Sequence, residues 1–261
     1  MNETTIIEND EPHTGPHMGA KIARGLGAFA LGGALLAIVI ALGGLTLARF
    51  DIIEKLSGFR AFMTMMVPSA VLALAALVAL IVGFRVKGGG RRWQAGLALV
   101  LSAGLFLVMY TQVIVPGGKA PPIHDISTDL NNMPQFVALD VEPVSTGPFS
   151  PEEWRAFHTD GYSDIKPILI NRSPEQVLAA ARVLMEQRGW EVAPQQPIEE
   201  QLEATAFAGY LKFRDDVVLR VTPVMDGSTR VDMRSVSRVG VSDLGYNAQR
   251  IRDFLKDLSA A

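Results

Sequence analysis

Three long stretches without a charged side chain, residues 26–47, 61–84 and 93–116, constrain this chain more than anything else in it. They run to 22, 24 and 24 residues. Crossing a hydrocarbon layer of about 30 Å takes about 20 apolar residues in a helix. Buried helices of globular domains rarely go so far without a polar face. The pattern therefore predicts three transmembrane helices, and no ionisable side chain falls inside any of them. Ion pathways and proton relays need such groups, so the spans read as an anchor rather than a transporter.

Orientation follows from lysine and arginine. Lys21 and Arg24 precede the first span, and Arg85, Lys87, Arg91 and Arg92 fill the loop between the second and third. The other short loop carries Arg49, Lys55 and Arg60, partly offset by Asp51 and Glu54. The expected arrangement is a multi-pass protein of the bacterial inner membrane, with a cytoplasmic N-terminus and a periplasmic C-terminal domain. A cleaved signal peptide ending near Thr46-Leu47-Ala48 fits less well, because Glu3, Glu8, Asp10 and Glu11 precede an apolar run longer than a signal core.

The chain has no cysteine, which excludes disulfides, thiol catalysis and cysteine metal sites. Residues 1–116 hold 9 Lys/Arg and 6 Asp/Glu, whereas residues 117–261 hold 15 and 21, a change from +3 to −6. So acidic a C-terminal half is a poor match, as a bulk surface, to nucleic acid or to anionic lipid headgroups.

Residues 1–24 read as a disordered tail. Its His13 and His17 are spaced for one helix face, but Pro16 opposes a helix there. In the three-helix region, residues 25–116, Gly25, Gly32, Gly33, Ala37, Ala41, Gly43 and Gly44 make the first span suited to close helix packing. Residues 117–164 look like an extended linker and collar, rich in Gly and Pro at 117–122. Pro151-Glu152-Glu153-Trp154, capped by Ser150, resembles a short helix start.

The soluble domain is expected over 165–261. Residues 165–170 read as an edge strand, interrupted by Lys166 and Pro167. Ser173-Pro174-Glu175-Gln176 is a capped helix start with proline at the first helical position. Val177, Ala181 and Leu184 line one face, and Gly189 ends the helix. Strand patterns follow over 199–213, 217–222 and 230–234, with Asp226-Gly227 as a hairpin turn. A last amphipathic helix begins near Ser242 or Asp243 and buries Leu244, Ile251, Phe254, Leu255 and Leu258. The fold class is thus a helical membrane anchor plus a two-layer α+β domain with an antiparallel sheet and two main helices.

Three runs then carry a resemblance: His124-Asp125-Ile126-Ser127-Thr128-Asp129, Phe213-Arg214-Asp215-Asp216-Val217-Val218, and the stretch from Arg234 through Arg238, Asp243 and Leu244 to Asn247. Over residues 121–258 the chain resembles the domain of unknown function 1499 family. That resemblance implies a family found in bacteria and photosynthetic eukaryotes, with no activity to carry over, and it leaves the spans outside.

Two polar clusters are candidates for function. His124, Asp125, Ser127 and Asp129 offer the residue types of a hydrolytic triad, yet triad members converge from separate elements rather than adjoin in sequence. No G-x-S-x-G elbow, H-E-x-x-H helix or P-loop is present. Turn-forming or docking hydrogen bonds explain the run better. In the second cluster, Arg220, Asp232 and Arg234 are expected on one sheet face beside Glu203 and Asp216. Arg238, Asp243, Asn247 and Arg250 are expected where the last strand meets the last helix. These arginines would form an anion pocket unless neighbouring carboxylates neutralise them.

The candidate binding residues are accordingly His124, Asp125, Asp129, Arg220, Arg234, Arg238, Asp243, Asn247 and Arg250. Neither a metal nor a cofactor is called for, and the sequence favours a non-enzymatic role. In outline the domain is similar to helix-grip folds that bind hydrophobes, an analogy of fold alone. It suggests a lipid or hydrophobic small molecule as ligand. The alternatives are a scaffold or accessory subunit of an envelope complex, and a periplasmic hydrolase.

Overall fold

The computed structural model describes residues 18–86, 91–142, 144–225 and 227–261. The tail with His13 and His17, and Asp226 of the hairpin turn, lie outside the described residues. Three stretches are long and apolar enough to cross a membrane: Met18–Arg49, Lys55–Arg85 and Arg92–Gly117.

The second and third are interrupted and the first is not. The first is one helix, α1 (Met18–Arg49). The second is two helices, α2 (Lys55–Thr64) and α3 (Met66–Arg85). They break beside Met65 because Pro68 has no N–H to continue the ladder. The third is α4 (Arg92–Met109), followed by one wide π turn over Tyr110–Ile114 and the short α5 (Val115–Gly117). Pro116 again removes a ladder donor at the place where the helix widens.

The chain divides into two compact units. One takes α1 up to Leu42 together with Phe62–Leu107. In it Ala30, Ala76 and Ala98, all fully buried, bring α1, α3 and α4 together. Gly33 meets Leu72 so closely that an added Cβ would lie 2.6 Å from its side chain. This is the close packing that small residues on the first span predict.

The other unit takes Gly43–Ala61 and Val108–Ala261. The segment 117–164, expected as linker and collar, lies inside it and supplies a strand and a helix. Strand β1 (Asp125–Ser127) precedes α6 (Pro151–Gly161), β2 (Ile168–Ile170) and α7 (Pro174–Gln187). Strands β3 (Glu191–Val192), β4 (Gln201–Ala208), β5 (Phe213–Pro223) and β6 (Thr229–Ser237) follow, and α8 (Tyr246–Ala260) closes the domain. The sheet order is β1-β6-β5-β4-β3, with β2 also on β6, and every pairing is antiparallel.

Local chemistry accounts for these boundaries. Ser150 and Ser173 cap α6 and α7, and Glu153 and Gln176 return the bond to complete two capping boxes. Strand β2 starts only after Pro167, which cannot donate to a ladder. Asp243 acts from two residues before the Gly245 cap, accepting from the backbone N–H of Gly245 at 2.9 Å and of Asn247 at 2.6 Å.

The alternation of β4, β5 and β6 gives the sheet two different faces. One is apolar: Leu202, Ala204, Val217, Leu219, Val231 and Met233 are buried against Val177, Ala181 and Met185 of α7 and Ile251, Phe254 and Leu258 of α8. Trp190 stacks on Phe254 with ring centroids 5.0 Å apart. The other face carries Gln201, Glu203, Thr205, Asp216, Arg220, Asp232 and Arg234. Most of these are buried too.

Candidate functional site

What covers the charged face is the irregular segment that follows β1, residues 128–142 with 144 and 145. Having no ladder of its own, it must find partners for its N–H and C=O groups elsewhere. The sheet supplies them. Arg220 donates to the Asn132 carbonyl at 2.8 Å, and the Gln201 side-chain amide to the Gln135 carbonyl at 2.9 Å. Glu203 accepts from the consecutive N–H groups of Val137, Ala138 and Leu139 at 2.7–3.0 Å. Arg234 donates to the carbonyls of Pro134 and Glu142, and Asp125 accepts from the Ser145 N–H at 2.9 Å. Four strands thus hold one arm through its backbone.

At the centre is a fully buried ion pair. The Arg234 guanidinium grips the Asp125 carboxylate in fork geometry, with Nε to Oδ1 at 2.8 Å and Nη2 to Oδ2 at 2.7 Å. Both side chains are at 0% exposure. Phe136 of the arm lies against the guanidinium, 5.2 Å from its ring centroid. Two charges are tolerated there because the fork and the arm's carbonyls use the donors that burial removes from water.

The other arginines are paired as well. Arg238 forks onto Asp216 at 2.8 Å and reaches Thr205. Arg250 meets Asp215 at 2.5 Å. Arg230 bridges Asp129 and Asp232 at 2.7 and 3.0 Å, and Arg220 also contacts Asp232 at 3.4 Å. Adjacent Asp215 and Asp216 point to opposite faces, so each has its own arginine. Each of these arginines is thus paired with an aspartate, and among the described residues the set leaves none of its guanidinium groups without a carboxylate partner.

Each candidate from the sequence has a definite place. Asp125, Asp129, Arg220 and Arg234 belong to the arm-covered face, and Arg238 lies on that same face at its pairing with Asp216. Asp129 closes an Asx turn by accepting from Asn131 and Asn132. Burial pushes its pKa up, but those two N–H groups and Arg230 together hold it below the usual carboxylate value. Asp243, Asn247 and Arg250 sit on the helix face with Ser235, Ser237 and Asp215.

Asn247 is fully buried and uses its whole side-chain capacity. It accepts from Ser235 at 2.6 Å and from Arg250, and donates to the His124 carbonyl at 2.8 Å and to Ser237 at 2.9 Å. Burial pushes the pKa of Asp243 and of Asp215 up, opposed by backbone N–H groups for the first and by Arg250 for the second.

His124 departs from its neighbours. Its Nε2 lies 2.9 Å from Ser145 Oγ, a serine–histidine pair contributed by β1's flank and the arm. Its buried Nδ1 has no partner among the described residues, so nothing orients the ring as a triad acid would. Among the described residues no three His, Asp or Glu side chains gather to hold a metal ion.

The parts played by Ser145, Gln201, Trp154 and His158 escape a sequence reading. Ser145 has no pattern around it. Gln201 betrays itself only by polar alternation with Leu202 and Ala204, the same alternation that placed Glu203 beside the charged cluster. His158 and Trp154 protect the open edge of β1: the Ser127 N–H donates to His158 Nε2 at 3.1 Å, and Trp154 Nε1 donates to the Asp125 carbonyl at 3.2 Å. Burial accordingly holds His158 neutral, its pKa below the ordinary value, with Asp125 pulling the other way.

Two open clefts flank the arm. One, of about 420 Å³, lies beside Met133, Val137, Ile198 and Pro223. The other, of about 620 Å³, lies between the Asp129 turn and α6, beside Arg155, Tyr162 and Lys166. Burial and nearby Asp243 push the Tyr162 hydroxyl up to about 12.

Fold and site together define a two-layer α+β domain whose charged sheet face clamps an irregular arm, in a chain with three helical stretches long and apolar enough to cross a membrane. Its sequence places it: the chain belongs to the DUF1499 family of proteins of unknown function, whose match covers residues 125–258. The match starts at the first residue of β1. Neither a curated protein nor a solved structure matches the chain.

Proposed function

We propose that this protein is a non-enzymatic accessory or scaffold subunit of an envelope membrane complex, seated in the bacterial inner membrane and presenting its arm on the periplasmic side. The observation that carries the reading is the arm itself. Glu203, Gln201, Arg220, Arg234 and Asp125 hold its backbone rigid, while Val137 and Val144 face outward. A pre-ordered loop with exposed apolar residues loses little entropy when a protein partner covers it.

Crosslinking and copurification from native membranes test the proposal, comparing wild type with Val137→Asp and Val144→Asp. Partners lost in the arm variants support it, and an unchanged pattern overturns it. The orientation is checked with Met225→Cys, which a membrane-impermeant maleimide should label in cells with a permeabilised outer membrane. The lipid-binding alternative needs room between sheet and helices, where Val177, Met185, Leu219 and Phe254 are fully buried. Lipid copurifying with the chain in mass spectrometry would favour it.

The hydrolase reading rests on the Ser145–His124 pair. A fluorophosphonate probe labels activated serines, so labelling that vanishes in Ser145→Ala would establish it. The scaffold reading expects no labelling.

A further inference from the structure

At one end of the second unit, four elements meet: the last turns of α1, the start of α2, the β4–β5 turn at residues 209–212, and the β6–α8 loop at 238–245. Arg49, at the end of the first span, donates to the Tyr210 carbonyl at 2.5 Å and lies 4.6 Å from its ring centroid. Phe59 of α2 meets Phe213 edge to face at 6.4 Å. Leu244 lies against Gly117, where the third span ends, and the Tyr246 hydroxyl lies beside Gly209.

Around these contacts the domain exposes an uncommon set of side chains. Tyr210 is 56% exposed, Tyr246 48%, Val239 41% and Val241 50%. Arg49, Lys55, Lys119, Lys212 and Arg214 lie on or beside these elements, the last three of them in the acidic half of the chain. Lys55 is ion-paired to Asp51 at 3.0 Å, and Glu54 and Glu191, the latter beside Arg238, are nearby carboxylates. Asp215 and Asp216 are already taken by Arg250 and Arg238, and Asp243 is buried. Tyrosines with an apolar body and polar tip, flanked by cations, are the composition of a membrane–water interface.

We infer that the β4–β5 turn and the β6–α8 loop seat in the headgroup layer of the membrane that holds the spans, with Tyr210, Tyr246, Val239 and Val241 at the acyl boundary and the cations on anionic phospholipid headgroups. The occupant follows from continuity: the residues that touch this surface, Arg49 and Gly117, are themselves the ends of membrane-crossing helices. The domain is then held flat on the bilayer by its own surface and does not swing on residues 117–122.

The chain has no cysteine, so single spin labels can be placed at will. Val241→Cys and, at the opposite end of the sheet, the fully exposed Met225→Cys are labelled in the full-length protein in nanodiscs, and collisions with oxygen and with a water-soluble nickel chelate are compared. In nanodiscs containing phosphatidylglycerol, the oxygen-to-nickel accessibility ratio at 241 should exceed that at 225 several-fold. In purely zwitterionic nanodiscs, or in Lys212→Glu/Arg214→Glu, that excess should shrink. Equal ratios at the two sites overturn the seating, and an excess indifferent to lipid charge overturns the role of anionic headgroups.

Discussion

The two faces of the sheet are built from alternate residues of the same strands yet are covered by different physics. On one, Leu219 and Met233 are buried by helices, and the driving force is non-directional removal of apolar surface from water. On the other, Glu203, Arg220 and Arg234 are covered by an arm that brings backbone rather than apolar area. There the arm is held mainly by directional hydrogen bonds, and one missing partner leaves a buried charge or amide unsatisfied. An apolar face tolerates variation in shape, whereas a clamped arm tolerates almost none in chemistry.

Substitution can break that contrast at its centre. Arg234→Met leaves the Asp125 carboxylate buried and alone, and should cost about 3–5 kcal/mol in denaturant unfolding of the detergent-solubilised chain followed by tryptophan fluorescence. The double variant Arg234→Met/Asp125→Leu should cost clearly less than the two single changes added together. Additive losses would mean that the pair is not coupled.

Glu203→Gln keeps the shape but removes the charge from three N–H donors, so about 2–3 kcal/mol should be lost. Hydrogen exchange at residues 137–139 should accelerate more than at 217–221. Equal acceleration would show that the arm is not separately held.

His158 adds a dependence on pH. Above about 6.5 the ring is neutral in both folded and unfolded chains. As pH falls below that, the unfolded chain takes up a proton that the folded chain resists. Stability should therefore decline through the depressed folded pKa by at most about 1.4 kcal/mol per pH unit. Asp215 and Asp243, with pKa raised by burial, act in the opposite sense as pH falls further. The measurement is thus the difference between wild type and His158→Gln, and identical slopes between pH 6.5 and 5.5 would refute a neutral His158.

The smallest effect belongs to the helix-covered face. Ile251→Val, which removes one methylene from the packed core, should cost about 1 kcal/mol. A loss as large as that of Glu203→Gln would erase the proposed contrast.

The legibility of each region follows the same division. Spans, helices and the apolar face repeat with fixed periods, so uncharged runs, the Ser173 capping box and the alternation around Leu219 announce them locally. The pairing of Arg220, Asp232 and Arg234 on one face was readable from that same alternation. The arm was not, because its order comes from partners as distant as Arg234 and Glu142, 92 residues apart. No period marks a backbone held by side chains. For the same reason the protection of β1 by Trp154 and His158, and the approach of Ser145 to His124, had no local signature.

The separation between Asp125 and Arg234, 109 residues, has a consequence for how the protein is made. The arm is synthesised soon after the third span, while β6, the strand that carries Arg234, follows only about 100 residues later. Until β6 arrives, β1 has no ladder partner and Asp125 no counter-charge, so the clamp cannot assemble progressively from its N-terminal side. Such distant pairings bear their loop-closure entropy before any contact rewards it. The domain therefore completes its folding only after β6 has been made, with its stem already in place.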